Sequence, residues 1–316
     1  MYDAIVIGGG TAGLAATTWL ARYRRRVLLI DGGEPRNRWV DHSHGYLGFD
    51  PVSPKTLLEQ ANRDLDAYPT VDRMQGKASS AAAEPRGGFS VEVDGKCHLG
   101  RRLVLATGVA DAFPDVEGFF DHYGADVFHC PTCDGYEAQD RPVVAIGWSP
   151  AMAGFALELL DWASSVTVVT DGQHFEGHDS ERDALARHGV DIVEDEATAL
   201  IGERGDLQAV ELRSGGRLHC GLAFFSIAHE PVTDLAEQLG CDLDDDGHVP
   251  VDEHGETSVP GVYAAGDLTP GMHLIQVAAS KGAVAGSGCA LSLRGEVGAP
   301  DAPAPGPDVE QELHDS

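Results

Sequence analysis

Two segments of the chain share one pattern, in which a short apolar run leads into a glycine-containing turn and a helix-forming stretch follows. Residues 3–7 are apolar and end in the turn GGGTAG, residues 14–23 predict a helix, and residues 27–30 predict a second buried strand. The same order of strand, helix and strand is predicted for residues 143–146, 151–162 and 166–169. This alternation predicts an α/β protein.

The first turn has the glycine spacing of a dinucleotide site. Gly8 allows a tight turn, Gly10 lets the backbone approach a pyrophosphate, and Gly13 lets the helix pack on the strand. Asp31 follows Gly8 by 23 residues and can accept a hydrogen bond from a ribose hydroxyl. Strand, glycine turn, helix and distal acid together predict a bound dinucleotide.

The second turn, GWSPAM at residues 147–152, keeps only the first glycine. Ser149 places a Cβ where a pyrophosphate would press on the backbone, and Met152 replaces the small residue of close helix packing. Asp171, after the next strand, would repel a 2′-phosphate, which disfavours NADP. The unit is therefore either a working nucleotide site or a repeat that preserves the fold with its site weakened or lost.

Two later apolar runs end in glycine turns. Residues 102–108 and 260–267 each predict a buried strand, and the second run ends at Asp267. Ligands of open α/β sheets bind at the carboxyl ends of the strands, so Asp267 is placed to bond a cofactor. Residues 276–291 predict a helix, and the tail from residue 295 is rich in Pro, Ala and acids and is predicted to be disordered.

Cys130 and Cys133, separated by Pro and Thr and followed by Asp134, form a CxxC pair between the two repeats. Such a pair can close and reopen a disulfide, and the adjacent acid can carry the proton of that cycle. We interpret the other cysteines as small buried hydrophobes. No second CxxC or histidine cluster completes a zinc site, so no metal is expected.

Composition excludes several functions. The formal net charge of −29, from 51 acidic and 22 basic residues, argues against nucleic acid as a partner. No apolar run reaches the roughly 20 residues of a membrane span, and we find no basic leader, so we expect a cytoplasmic protein without a membrane anchor. A length of 316 residues fits two domains.

These motifs together resemble the low-molecular-weight thioredoxin reductase family of FAD-dependent disulfide oxidoreductases. The motifs are GGGTAG, ATG at 106–108, CPTCDG at 130–135 and AGD at 265–267, and the resemblance covers roughly residues 3–294. It implies two Rossmann-like three-layer domains, the second inserted in the first. The FAD domain would be split into 1–116 and 246–294, the inserted NAD(P)H-type domain would span 117–245, and the protein would be a homodimer.

The resemblance also implies roles for individual residues. Cys130 would be the interchange thiol, Cys133 the flavin-proximal thiol and Asp134 the acid–base, while Glu137, His129 and His44 are further candidates for proton transfer. FAD would be contacted by Gly8, Gly10, Thr11, Ala12, Gly13, Asp31, Asn37, Gly108, Gly266, Asp267, Gln276 and Val277. Asp31 would meet the adenosine ribose and Asp267 the ribityl chain.

Departures from the family leave several activities open. The NADPH-binding residues of typical members are absent, so NAD(P)H use is doubtful. Residues 36–48 resemble a divergent subgroup that includes flavin-dependent dithiol oxidases, although those commonly carry His where this chain has Asp134. The hypotheses are a reductase of a thioredoxin-like protein or small-molecule disulfide, a dithiol oxidase that uses O2, a ferredoxin-dependent reductase, and a non-enzymatic flavin-binding sensor.

Overall fold

A computed structural model describes residues 1–295, so all of the expected disordered tail except Gly295 lies outside the described residues. The first part of the chain forms β1 (Tyr2–Ile7), α1 (Thr11–Arg22), β2 (Val27–Asp31), α2 (Pro54–Asp64), β3 (Val71–Gln75), β4 (Ala78–Ala83), β5 (Phe89–Val93), β6 (Lys96–Leu105) and β7 (Val109–Ala112). The middle part forms α3 (Phe119–His122), β8 (Val127–Phe128), α4 (Pro131–Asp134), β9 (Pro142–Ile146), α5 (Met152–Leu159), β10 (Ser165–Val169), α6 (Asp179–Arg187), β11 (Asp191–Val193), β12 (Ala197–Glu203), β13 (Asp206–Leu212), β14 (Arg217–His219), β15 (Leu222–Phe225) and β16 (Ala228–Pro231). The last part forms α7 (Asp234–Leu239), β17 (Val262–Ala264) and α8 (Ile275–Ser292), and short 3₁₀ helices lie at Arg36–Trp39, Leu65–Ala67, Gly135–Ala138 and Gly266–Leu268.

The first glycine turn belongs to a seven-stranded sheet of order β3-β2-β1-β6-β5-β4, with β17 paired to β6. β1, β2, β3, β6 and β17 are parallel, whereas the β4–β5 and β5–β6 pairs are antiparallel. The apolar runs of the central strands are buried on both faces, as parallel strands covered by helices require. The carboxyl ends of β1, β6 and β17 therefore lie at one edge of this sheet.

The second repeat forms a five-stranded parallel sheet of order β11-β10-β9-β15-β8, and the antiparallel sheet β12-β13-β14 accompanies it. One face packs on α5 and α6, and the other packs on apolar side chains of β12 and β13. The α/β prediction is confirmed. The predicted helix at 151–162 is shorter, since α5 ends at Leu159 and the next residues turn.

β7 and β16 form a two-stranded antiparallel ribbon where the chain leaves the first sheet and returns to it. After this return, Leu235, Ala236 and Cys241 pack in the core of the first sheet, and Gln238 accepts a hydrogen bond from the Ala81 N–H on β4. The boundary at residue 246 stays a prediction, and apolar side chains between β16 and that residue already pack against the first sheet.

One further contact fixes the orientation of the second unit. Asp41, just after the 3₁₀ helix of the first unit, donates its N–H to the Gly124 carbonyl at 3.0 Å and accepts from Arg204 Nη2 at 2.8 Å. Arg204 also donates Nη1 to the carbonyls of Asp121 and Tyr123.

None of the helices within residues 1–295 combines the length and the apolar character that a membrane span needs.

Candidate functional site

The glycine turn before α1 forms an open cradle for phosphate. A Cβ on Gly8, whose φ is +113°, would lie 2.1 Å from the Ala106 carbonyl oxygen, and one on Gly13 would lie 1.8 Å from the Gly8 oxygen. A Cβ on Gly10, by contrast, would meet nothing within 4 Å. Gly10 is the N-cap of α1 and provides no side-chain cap, so the first-turn N–H groups of Thr11 and Ala12 remain available to an anion.

Carboxylates flank this cradle on both sides. Asp31, at the end of β2, accepts the Gly33 N–H at 2.9 Å, and its Cγ would lie 2.1 Å from a Cβ on Gly9. Asp267 follows β17 and accepts a hydrogen bond from Arg36 Nη1 at 3.2 Å. Both predicted contacts thus lie at the sheet edge where the parallel strands end.

Arg36 was not predicted as a site residue, although it begins the segment singled out in the sequence. It also donates to both carboxylate oxygens of Asp111, at 2.9 and 2.6 Å. Burial would raise the pKa of Asp111, but the hydrogen bonds and charge of Arg36 outweigh it and hold that pKa below its usual value. Arg36 therefore links Asp111 and Asp267 into one ion-pair group.

The remaining predicted cofactor residues lie around the same edge. Asn37 donates its side-chain amide to Ser43 at 3.3 Å, and Gly108, with φ +70°, follows β6. Gln276 and Val277 lie in the first turn of α8, where the Gln276 side chain accepts the Leu47 N–H at 3.1 Å. Gly266 begins the 3₁₀ helix that carries Asp267.

The second glycine turn is closed by its own backbone. The Met152 N–H donates to the Ser149 carbonyl at 3.0 Å, and the Ala153 N–H donates to the Pro150 carbonyl at 3.3 Å. Pro150 has no N–H to offer, and a Cβ on Gly147 would lie 2.3 Å from the Met152 methyl group. Pro150 stands where Thr11 stands in the first turn, so the second turn has one N–H group fewer to offer a pyrophosphate.

The end of β10 adds negative charge to this closed turn. Asp171 accepts the Ala197 N–H at 3.3 Å, and Asp195 and Glu196 directly precede Ala197 in the chain. Burial raises the pKa of Asp171, a hydrogen bond from Ala197 opposes this, and the charge of Glu196 raises it further. A 2′-phosphate would meet repulsion here.

Cys130 and Cys133 form a disulfide at the start of α4. The Cys133 N–H donates to the Cys130 sulfur at 3.1 Å, a contact that favours a thiolate there once the bond opens. A Cβ on Gly135 would lie 2.4 Å from the Trp162 ring, so only glycine lets this turn pack against that side chain. The pair is partly exposed, as exchange with a substrate requires.

Three of the four other cysteines are buried, as predicted, but Cys97 is exposed. The prediction was wrong for Cys97 because its position near the β5–β6 hairpin faces solvent. Burial raises the pKa of Cys220 and of Cys289 to about 12, so these thiols remain protonated.

Asp134 lies directly behind the disulfide and is only 6% exposed. Burial, followed by the charge of Glu137, raises the pKa of Asp134 to about 7, while His44 lowers it. His44 Nε2 lies 3.4 Å from Glu137, and its Nδ1 lies 3.0 Å from the exposed Asp50. This arrangement runs from the buried carboxyl toward solvent and brings together both units of the fold.

His129 is partly buried and hydrogen-bonded to the Tyr123 hydroxyl at 2.9 Å. Burial and the charge of Arg36 lower the pKa of His129 to about 4, so its imidazole is neutral at pH 7. It can therefore accept a proton only weakly, in contrast to Asp134.

A cleft of about 420 Å³ opens beside the disulfide. Cys130 and Thr132 line it, as do His229, His248 and His273. Sequence reasoning missed these histidines because they lie far apart in the chain and belong to a hinge strand and two loops. Among residues 1–295, no group of three or more His, Cys, Asp or Glu is arranged to hold a metal ion.

The family model described as pyridine nucleotide-disulphide oxidoreductase matches residues 2–282. The chain belongs to this family. It is 31% identical over 310 residues to "Thioredoxin reductase sirT" of Leptosphaeria maculans, covering 91% of this chain and 93% of that protein. It is 28% identical to the thioredoxin reductase of Mycolicibacterium smegmatis, covering 94% and 96%.

Solved structures give the same result for this pyridine nucleotide-disulphide oxidoreductase. A putative thioredoxin reductase, TrxB, from Bacillus anthracis has a TM-score of 0.86 at 29% identity, covering 94% of this chain and 99% of that one. The crystal structure of HlmI has a TM-score of 0.85 at 34% identity, covering 92% and 91%. The predicted resemblance and the pair of Rossmann-like domains are confirmed.

The family assignment makes the protein an FAD-dependent oxidoreductase that acts on disulfides. The open position at Gly10, the free helix start and the carboxylates of Asp31 and Asp267 fit this dinucleotide. These residues would hold FAD, which supplies a two-electron partner for the disulfide when bound.

Proposed function

We propose that this oxidoreductase exchanges a dithiol for a disulfide with a small molecule at Cys130, and that it does so without a nicotinamide cofactor. The observation that carries the proposal is the cleft of about 420 Å³ with Cys130 in its wall. That volume lies within the range of small-molecule sites.

The chemistry follows from the disulfide and its neighbours. One substrate thiolate attacks the Cys130 sulfur, the Cys130–Cys133 bond breaks, and Cys133 leaves as a thiolate. The second substrate thiol attacks the mixed disulfide, which releases the substrate disulfide and a Cys130 thiol. Of the two substrate protons, one stays on Cys130 and the other passes to the Asp134 carboxylate. The reverse sequence reduces a substrate disulfide.

The closed second turn supports the absence of nicotinamide. Ser149 and Pro150 stand where the first turn has Gly10 and Thr11, which adds a Cβ and removes an N–H donor, and Asp171 adds a negative charge beyond β10. The turn weakens the contact with a pyrophosphate, and Asp171 repels a 2′-phosphate, so both features disfavour NADPH binding.

A second candidate function is the reduction of a thioredoxin-like protein. The relatives named thioredoxin reductase support it, as does Asp134, which resembles the acid of reductases rather than the His of oxidases. The use of O2 as electron acceptor in the oxidising direction stays a prediction, as does the use of ferredoxin as electron donor in the reducing direction. The homodimer also stays a prediction. A non-enzymatic flavin sensor ranks below these because of the family assignment.

The test is anaerobic reduction of the FAD-loaded protein by NADPH, NADH, reduced ferredoxin and a small dithiol in parallel. We expect the dithiol to bleach the flavin band within one turnover and both nicotinamides to act slowly or not at all. Cys130→Ser should abolish bleaching by the dithiol, whereas Cys97→Ser, at the exposed free thiol, should not. Rapid stoichiometric bleaching by NADPH would contradict the proposal.

A further inference from the structure

We propose that the cleft beside Cys130 selects uncharged or cationic dithiols and disulfides and rejects anionic ones. This inference names a substrate class for the function proposed above and rests on it. It is carried by the charges that line the cleft.

Two carboxylates line the cleft together with Cys130. Asp244 and Asp246 belong to the turn before His248. Asp244 Oδ1 accepts the N–H of Asp246 at 3.0 Å and that of His248 at 2.8 Å, so its charge is held in a fixed position. An anionic substrate would have to approach Cys130 past both carboxylates.

Nearby cations do not cancel this charge. Arg36 is paired with Asp111 and Asp267. Lys281 lies under the loop that carries Met272, where its ammonium donates to the carbonyls of Thr269 and Pro270 at 3.1 and 2.9 Å. Within the described range, no Lys or Arg lines the cleft. The positive charges of Arg36 and Lys281 are thus balanced by the negative charges of Asp111 and Asp267. The charges of the two lining carboxylates, Asp244 and Asp246, remain unbalanced.

Three histidines line the same cleft, and two of them, His229 and His273, add no charge. The rings of His229 and His248 each lie 5.4 Å from the ring of His273. Burial, together with the positive charge of Arg36, lowers the pKa of His229 and of His273, so both imidazoles are neutral at pH 7. In the part of the chain that the structure covers, the buried Nε2 atoms of His248 and His273 have no partner.

The substrate class that fits the cleft is therefore a small dithiol or disulfide that carries no negative charge. The two carboxylates would repel an acidic disulfide as it enters the cleft, and no cation in the cleft would offset that repulsion.

The test uses three dithiols that differ only in charge: dihydrolipoamide, which is neutral, dihydrolipoate, which is anionic, and a dihydrolipoyl amide bearing a tertiary amine, which is cationic. Each is mixed anaerobically with the FAD-loaded protein, and the second-order rate of flavin bleaching is measured. We expect the neutral dithiol to react about fivefold to tenfold faster than the anion, and the cation at least as fast as the neutral compound. The preference should weaken as ionic strength rises from about 0.02 to 0.5 M.

Variants assign the preference to the cleft. Asp244→Asn combined with Asp246→Asn keeps the turn acceptor and should reduce the ratio of neutral to anionic rates to about twofold. Glu92→Gln combined with Asp94→Asn, on the exposed β5–β6 hairpin, removes the same charge and should leave the ratio unchanged. FAD content and melting temperature report whether each variant folds.

Failures of the two proposals are distinguishable. Equal wild-type rates for all three dithiols would overturn charge selection while the exchange function stands. An FAD-loaded protein that none of the three dithiols reduces would overturn the exchange function itself. An unchanged ratio in the folded Asp244 and Asp246 double variant would also overturn the assignment of selection to this cleft.

Discussion

At the scale of single residues, Asp134 differs from an ordinary aspartate because the fold buries it beside the disulfide. A pKa of about 7 leaves its carboxyl shared between the two protonation states near neutral pH, which suits a group that both accepts and returns a proton. The sequence predicted the role from the position after Cys133. It could not predict the pKa, because the burial and the approach of Glu137 and His44 depend on tertiary packing.

Burial of Asp134 has a stability cost that depends on pH. The folded pKa of about 7 lies above that of an ordinary aspartate, so the unfolded state loses its proton first and stability falls as pH rises between the two pKa values. Asp134→Asn lacks this titration, and its stability relative to wild type should rise by roughly 2–3 kcal/mol between pH 5 and pH 8. Denaturant unfolding of the FAD-loaded proteins at pH 5 and at pH 8 measures this change in relative stability. A constant difference would show that Asp134 ionises normally.

His44 and Glu137 should shift the pKa of Asp134 in opposite directions. Glu137 raises it and His44 lowers it, so Glu137→Gln should move the pH midpoint of dithiol-driven flavin bleaching down, and His44→Gln should move it up. Asp134→Asn should remove the inflection near pH 7 altogether. The measurement is the single-turnover bleaching rate from pH 5 to 9. Shifts in the same direction for both variants would contradict the electrostatic role of the pair.

At the scale of elements, the sequence predicted both strand–turn–helix units because apolar periodicity and glycine spacing are local properties. It also indicated that Ser149 and Met152 weaken the second turn. It could not show how the turn is closed, since the bonds from Met152 N–H to Ser149 and from Ala153 N–H to Pro150 depend on the exact path of the backbone. The two turns therefore differ in the path of the backbone as well as in their side chains.

The first turn allows a prediction that separates binding from folding. Gly10→Ala adds a methyl group that meets no protein atom within 4 Å, so the apoprotein should fold normally, but the methyl occupies the approach of the pyrophosphate and should weaken FAD affinity about tenfold or more. Gly13→Ala would place its methyl 1.8 Å from the Gly8 oxygen and should destabilise the fold itself. Melting temperature of the apoprotein and FAD titration measure the two effects. Normal FAD affinity in Gly10→Ala would remove the turn from the cofactor site.

At the scale of the whole molecule, the cleft exists because the two units meet. Cys130 comes from the second unit, His229 from the hinge ribbon, and His248 and His273 from loops of the first unit. No local pattern relates these positions, which explains why the sequence identified the disulfide and not the histidines around it. The same reason applies to the domain boundary, since only packing showed that Leu235 and Cys241 return to the first core.

If the function depends on this orientation, Arg204 is the side chain that tests it. Arg204 bonds Asp41 of the first unit and the carbonyls of Asp121 and Tyr123 in the second. The ion pair is partly exposed and worth at most about 1 kcal/mol, so its loss should leave the fold intact while the units reorient more freely. Arg204→Ala should therefore raise the dithiol concentration for half-maximal bleaching about threefold to fivefold, with FAD content unchanged.

The matched control for Arg204 is Arg213→Ala, which removes an exposed ion pair with Glu196 inside the second unit and should leave bleaching unaffected. Arg204→Lys keeps the charge but cannot reproduce three bonds in a fixed fork, so it should lie between wild type and Arg204→Ala. Because the two units form the cleft jointly, the effect should appear in half-saturation rather than in the limiting rate. If Arg204→Ala and Arg213→Ala behave alike, the β7–β16 ribbon and the packing of residues 36–41 hold the orientation without this side chain.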